Sequence, residues 1–154
     1  MSYEVDIQRE INDSEVDTPS DEDFQRWVTL ALTDRKSGGE ICIRLVEPTE
    51  SQQLNSDYRG KDAPTNVLSF PFEAPEGIPM ELLGDLAICA DIVAKEAHEQ
   101  NKPVLNHWAH MVIHGTLHLI GFDHINDSDA EQMETLETTL LASINIPDPY
   151  QQGV

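Results

Sequence analysis

The stretch from His114 to His124, which reads His-Gly-Thr-Leu-His-Leu-Ile-Gly-Phe-Asp-His, constrains this chain more than any other segment. Helical positions i and i+4 share one face. His114 and His118 can therefore present two imidazoles to one metal ion. Glycine takes the left-handed conformation at a helix C′ position without steric cost, so Gly121 predicts where the helix stops. A chain that turns back there can bring His124 to the same ion. Three neutral nitrogen ligands and one open position form the arrangement of a catalytic zinc, whereas structural zinc usually has four protein ligands.

The same segment carries further histidines. His107, His110, His114 and His118 follow one another at spacings of three and four, a single helical stripe. Any adjacent pair on that stripe has the geometry to hold metal. Gly121 and His124 select the C-terminal pair, because only that pair lies near a turn able to return a third ligand. His107 and His110 are expected to pack or to support the ligands, and His98 to lie on the surface.

The order of elements follows from periodicity. Tyr3, Val5 and Ile7 alternate with polar residues as a strand. Thr18 to Asp23 opens a helix with a hydroxyl cap and acids in its first turn. Ile41, Ile43 and Leu45 form a second strand. Pro48 to Gln52 has capping-box spacing and opens a helix to about Tyr58. Arg59 to Asn66 is a polar loop, Val67 to Phe70 a strand, and Glu73 to Pro79 an exposed excursion rich in Pro and Gly. Leu82 to Ala90 is another strand-like run, with Gly84 and Asp85 near its start. Helices then follow from Asp91, from Pro103 and from Asp127 to Leu141. The fold expected is α+β: a small mixed sheet of about four strands packed with about five helices, and a metal cleft on the helix that ends near Gly121.

A length of 154 residues suits a single domain over 1–154. At this size roughly two-thirds of the unfolded surface can be buried, so the core needs no staples. No apolar run approaches the ~20 residues of a membrane helix, and the first residues lack the basic and apolar regions of a secretory signal. Cys42 and Cys89 stand alone in apolar segments and read as buried thiols. A cytoplasmic location follows. The net charge of −20 argues against nucleic acid when taken alone. The bases are unevenly placed, however. None follows Lys102, and Arg44, Arg59 and Lys61 fall in the first half, so a local basic groove on an acidic surface is compatible with the composition.

The ligand pattern fits His-x-x-x-His-x-x-Gly-x-x-His, the spacing of metzincin proteases. Those enzymes place a Glu general base directly after the first His. Here that position is Gly115, which has no side chain to accept a proton, so a metalloprotease-like hydrolase is the weaker reading. Zinc supplies a nucleophile at neutral pH without that Glu. Arg59, at the head of a polar loop beside Lys61, has the guanidinium to pair with a phosphate and to offset charge that develops there. Asp85 is a candidate to orient a ligand histidine or to act as a base, and Asp123 to orient the loop before His124.

His-Gly-x-x-His-Leu-x-Gly-x-Asp-His from His114 to His124 resembles the signature of the YbeY family of bacterial metal-dependent endoribonucleases. Tyr58-Arg59-Gly60-Lys61-Asp62, followed by Pro64-Thr65-Asn66-Val67-Leu68-Ser69-Phe70, looks like its second hallmark, and Leu83-Gly84-Asp85-Leu86-Ala87-Ile88 like its third. The resemblance implies a zinc-dependent hydrolase that cuts single-stranded RNA. It also implies roles in 16S rRNA 3′-end maturation and late-stage ribosome quality control, beside ribosome-associated proteins. It assigns the metal to His114, His118 and His124 and a functional role to Arg59; Lys61, close by in the same loop, is then expected on the RNA backbone. Nickel or another divalent ion also suits imidazole ligands. The attacking group, an activated water or the ribose 2′-OH, is left open. The rival outside enzymology is a non-catalytic ribosome-binding factor with a structural zinc, which would unfold when the metal is removed.

Overall fold

The computed structural model describes residues 3–9, 18–36, 38–72, 82–122 and 126–149. Nine elements follow in chain order: β1 (Tyr3–Arg9), α1 (Asp21–Leu32), β2 (Gly39–Val46), α2 (Pro48–Arg59), β3 (Val67–Pro71), β4 (Leu82–Cys89), α3 (Ala90–Glu99), α4 (Val104–Leu119) and α5 (Asp127–Ala142). The sheet order is β1-β2-β4-β3. β1 pairs with β2, and β2 with β4, in parallel, while β3 runs antiparallel to β4. This is the α+β fold with a four-stranded mixed sheet that the sequence predicts.

Side-chain alternation sorts the sheet into two faces. Ile41, Ile43, Leu45, Leu86, Ile88 and Val67 join the main core with α1 and α4. Their neighbours Val46, Leu68, Ala87 and Cys89 point the other way, where Leu54 of α2 and Phe70 cover them. Trp108 of α4 and Phe24 of α1 are fully buried and meet edge to face at 5.7 Å. Such pairs add about 0.5–1.5 kcal/mol beyond their area. α4 is therefore anchored by its apolar side, which leaves its histidine stripe to be placed by polar contacts.

The helix starts divide into foreseen and unforeseen. Ser20 caps α1, its hydroxyl accepting from the Asp23 amide at 3.2 Å, and Asn126 caps α5 by accepting from the Asp129 amide at 2.8 Å. The capping box expected within Pro48–Gln52 does not form. Glu47 is the N-cap of α2 and makes no side-chain cap bond. Pro48 at the first position fixes φ and has no N–H to satisfy, so the N-cap falls on Glu47 instead of the Thr49 that the hydroxyl pattern suggests. Asp91 lies inside the first turn of α3, after the Cys89 N-cap, where its charge acts on the helix dipole. Cys89 is buried as expected. Cys42 is only partly so, because it sits on the face of β2 opposite the main core. The excursion expected over Glu73–Pro79 lies outside the described residues. Among the described residues, no helix is long and apolar enough to cross a membrane.

Candidate metal centre and its cleft

A cleft of about 970 Å³ runs along β3, the strand at one edge of the sheet. The C-terminal end of α2 walls it on one side with Tyr58 and Arg59. The C-terminal end of α4 walls it on the other with His114 and His118, and Asp85 of β4 also lines it. Two helix ends, on opposite faces of the sheet, thus meet across an edge strand.

Each wall has a local cause. α2 closes at Gly60, with φ of 70°: the Gly60 amide donates to the Ser56 carbonyl and the Lys61 amide to the Asn55 carbonyl. Ser51 and Asn55 are buried polar residues one turn apart on this helix. They bind the following loop rather than the core: Ser51 Oγ donates to the Thr65 carbonyl and accepts from its amide, and Asn55 Nδ2 donates to the Ala63 carbonyl. Asn66 then reaches across to Glu96 of α3 at 3.0 Å. The segment from Tyr58 to Ser69 is in this way a tied loop that fixes where Arg59 stands.

α4 closes as the glycine predicts. The Phe122 amide donates to the Leu117 carbonyl and the Gly121 amide to the His118 carbonyl, both at 3.1 Å. This is the double bond of a Schellman cap, with Gly121 in the C′ position at φ of 108°. His118 lies in the last turn, at the mouth of the cleft.

The histidine stripe is held from behind by carboxylates. His107 Nε2 lies 2.9 Å from Glu96. His110 Nε2 lies 2.8 Å from one oxygen of Glu137 of α5, and His114 Nδ1 lies 2.6 Å from the other. Glu137 is fully buried. Burial alone would raise its carboxyl, but the bonds from His110 and His114 outweigh that and hold it at about 2. Burial lowers His110 below the usual histidine range, so its ring is neutral near pH 7 and donates to Glu137 through Nε2. A carboxylate accepts only, so His114 donates through Nδ1, and in the neutral ring this makes Nε2 the acceptor. That nitrogen faces His118 Nε2 at 3.2 Å.

His110, His114 and Glu137 bring one ligand atom each within 4.8 Å of one another, so this cluster could hold a metal ion. Of the sequence-predicted site residues, Arg59, His114 and His118 share the cleft. Lys61 is exposed and does not line it. His124 and Asp123 lie outside the described residues. Asp85 is a strand residue, paired with Phe70, and lines the cleft. His107 and His110 are buried, His110 within the candidate metal cluster, and His98 is exposed.

Glu137 is the member of this candidate metal cluster that the sequence alone does not point to. Its signal was an acid on an apolar stripe. Met133, Leu140 and Leu141 are its neighbours at helical spacing, and all are buried. Gly115 also gains a reason. A Cβ there would stand 2.8 Å from Leu86 Cδ2 and 3.2 Å from Val67 Cγ2. The position faces the sheet, so glycine lets α4 approach β4, and a side chain there would run into the core instead of the cleft.

Comparison with known proteins gives the same picture from outside. Residues 6–145 match the family model described as Endoribonuclease YbeY. The solution structure of TM1509 from Thermotoga maritima is similar at 26% identity with a TM-score of 0.61, and the match covers 96% of this chain and 99% of that one.

Proposed function

Because the chain belongs to the YbeY family of endoribonucleases, we propose that it is a zinc-dependent enzyme that cuts single-stranded RNA at the α2–α4 cleft. We further propose that it acts in the cytoplasm in 16S rRNA 3′-end maturation and late-stage ribosome quality control, with ribosome-associated proteins as partners.

The facing Nε2 atoms of His114 and His118 at the mouth of a cleft that also carries Arg59 support this reading best. Metal–nitrogen bonds of 2.0–2.1 Å at a tetrahedral ion place two ligand nitrogens about 3.3 Å apart. The 3.2 Å separation matches that edge. Glu137 supplies the second half of the design, since a ligand histidine usually gives its other N–H to a carboxylate. The contacts of Glu137 with His110 and His114 are already of hydrogen-bond length, which suits a carboxylate that orients a ligand better than one that replaces it. His124 is the proposed third ligand. Nickel would meet the same nitrogens.

A divalent ion held there supplies Lewis acidity toward water and phosphate. The chain supplies the rest. Arg59 binds the scissile phosphate and offsets its charge. Glu137 keeps the proton of His114 on Nδ1. Lys61, exposed outside the cleft walls, is the proposed contact to the RNA backbone beyond it. Gly115 removes the general base of a protease, in agreement with a phosphate substrate.

A second reading rests on the buried His110, His114 and Glu137 set, which could hold a structural ion in a non-catalytic ribosome-binding factor. One comparison separates the two: metal content, melting temperature and cleavage of single-stranded RNA for wild type, Arg59→Ala and His114→Ala. The enzyme reading expects cleavage to be lost in both variants, with metal retained by Arg59→Ala. Chelation should abolish cleavage while leaving most of the fold. Unfolding on chelation, with no cleavage that depends on Arg59, would establish the structural ion instead.

A further inference from the structure

Tyr58 is the most exposed large hydrophobic residue among the described residues, at 68%. It stands beside Arg59 at the end of α2 and lines the cleft. Its one aromatic contact is with Phe70 of β3, at 5.1 Å between centroids and 71° between planes. An edge-to-face contact braces a ring while leaving face area open, and the high exposure agrees with that. A tyrosine on a solvated helix end needs no such brace, and an apolar ring left in water at the rim of a polar cleft contributes nothing to the core. Phe70 itself is only partly buried and packs on the sheet face that α2 covers. The pair therefore forms a fixed aromatic shelf next to a guanidinium.

Resting on the nuclease reading above, we infer that Tyr58, braced by Phe70, stacks on an unpaired base of the RNA adjoining the phosphate that Arg59 holds. A paired base keeps its faces inside the helical stack and cannot reach such a ring. Unstacked bases of single strands can, and they are commonly recognised on aromatic side chains. The shelf thus makes Tyr58 a specificity-determining residue for single strands. It is sequence-tolerant, because every base has a π-face.

The test pairs a protein change with an RNA change. Binding of a fluorescent single-stranded oligoribonucleotide is measured by anisotropy for wild type, Tyr58→Phe and Tyr58→Ala. The oligonucleotide series carries one abasic site at each position in turn. Tyr58→Phe should bind as wild type does, and Tyr58→Ala about tenfold more weakly. With the oligonucleotide trimmed to the shortest length that still binds, so that one register is open, the abasic site at one position should weaken wild type by the same factor and leave Tyr58→Ala unaffected. Equal binding by wild type and Tyr58→Ala, or an abasic penalty identical in both proteins at every position, would overturn the shelf while leaving the nuclease reading intact. Failure of wild type to bind any single-stranded RNA would overturn both.

Discussion

At the scale of single residues, the site depends on a carboxylate that touches no substrate. Glu137 has both oxygens committed to imidazoles in a fully buried setting. Glu137→Gln keeps the shape but replaces one acceptor with an NH₂ group, which meets the N–H of His110 or of His114. The proton of His114 is then no longer held on Nδ1, and its Nε2 is no longer held bare. Outer-shell losses of this kind cost about 10–100-fold in metal affinity. Zinc competition against a chromophoric chelator should show a decrease in that range, and wild-type affinity in Glu137→Gln would remove Glu137 from the metal site. The placement of His114 and His118 at one cleft was legible because helix spacing and a glycine stop are local signals. Glu137 was not, because its partners lie 23 and 27 positions away and the chain alone does not say which helix will face which. The acid among Met133, Leu140 and Leu141 was visible, but its meaning required the packing of α5 on α4.

At the scale of elements, α4 carries two conditions: it must end at Gly121, and it must lie close to the sheet. The first was readable from the glycine. The second was not, since Gly115 entered the sequence reading only as a missing base. Its close approach to Leu86 and Val67 predicts that Gly115→Ala overpacks the interface and destabilises the fold by about 1–3 kcal/mol. Urea unfolding midpoints would show it, and an unchanged midpoint would mean that the helix withdraws at no cost. The strands and their alternation were legible throughout, whereas the start of α2 was misplaced because Pro48 outranks a hydroxyl pattern. A second element-level contact ties α3 to α4 and to the loop before β3. Burial would raise Glu96, but bonds from His107 and Asn66 outweigh it and lower the carboxyl below its ordinary 4.5. A carboxyl depressed in the folded state adds stability that is present above its unfolded pKa and is lost as pH falls through the folded one. The stability gap between wild type and Glu96→Gln should therefore narrow as pH falls below about 4.5. Glu137 has the same sign and is common to both proteins, so it cancels in the difference. A gap that fails to narrow below about pH 4.5 would contradict a carboxyl held low by the bonds from His107 and Asn66.

At the scale of the whole molecule, a net charge of −20 has to coexist with a polyanionic substrate. Composition alone argued against nucleic acid, and the structure shows how the two are compatible. The guanidiniums of Arg44 and Arg59 line the cleft, and Arg44 is paired with Glu50 at 2.7 Å. The compensation is local and small, so phosphate neutralisation cannot dominate affinity as it does in basic RNA-binding domains. Counterion release for single strands scales as about −0.7 per phosphate neutralised. One or two contacts therefore predict a slope of log K against log salt of only about −0.7 to −1.4. Added salt also screens the repulsion between the acidic surface and the RNA, which flattens the slope further. Arg59→Ala should weaken binding and make the slope shallower by about 0.7, and Tyr58→Ala should weaken binding without changing the slope, since stacking releases no counterions. A wild-type slope of about −3 or steeper would show that many more cations meet the RNA than the cleft supplies. It would place the main binding surface elsewhere on the molecule.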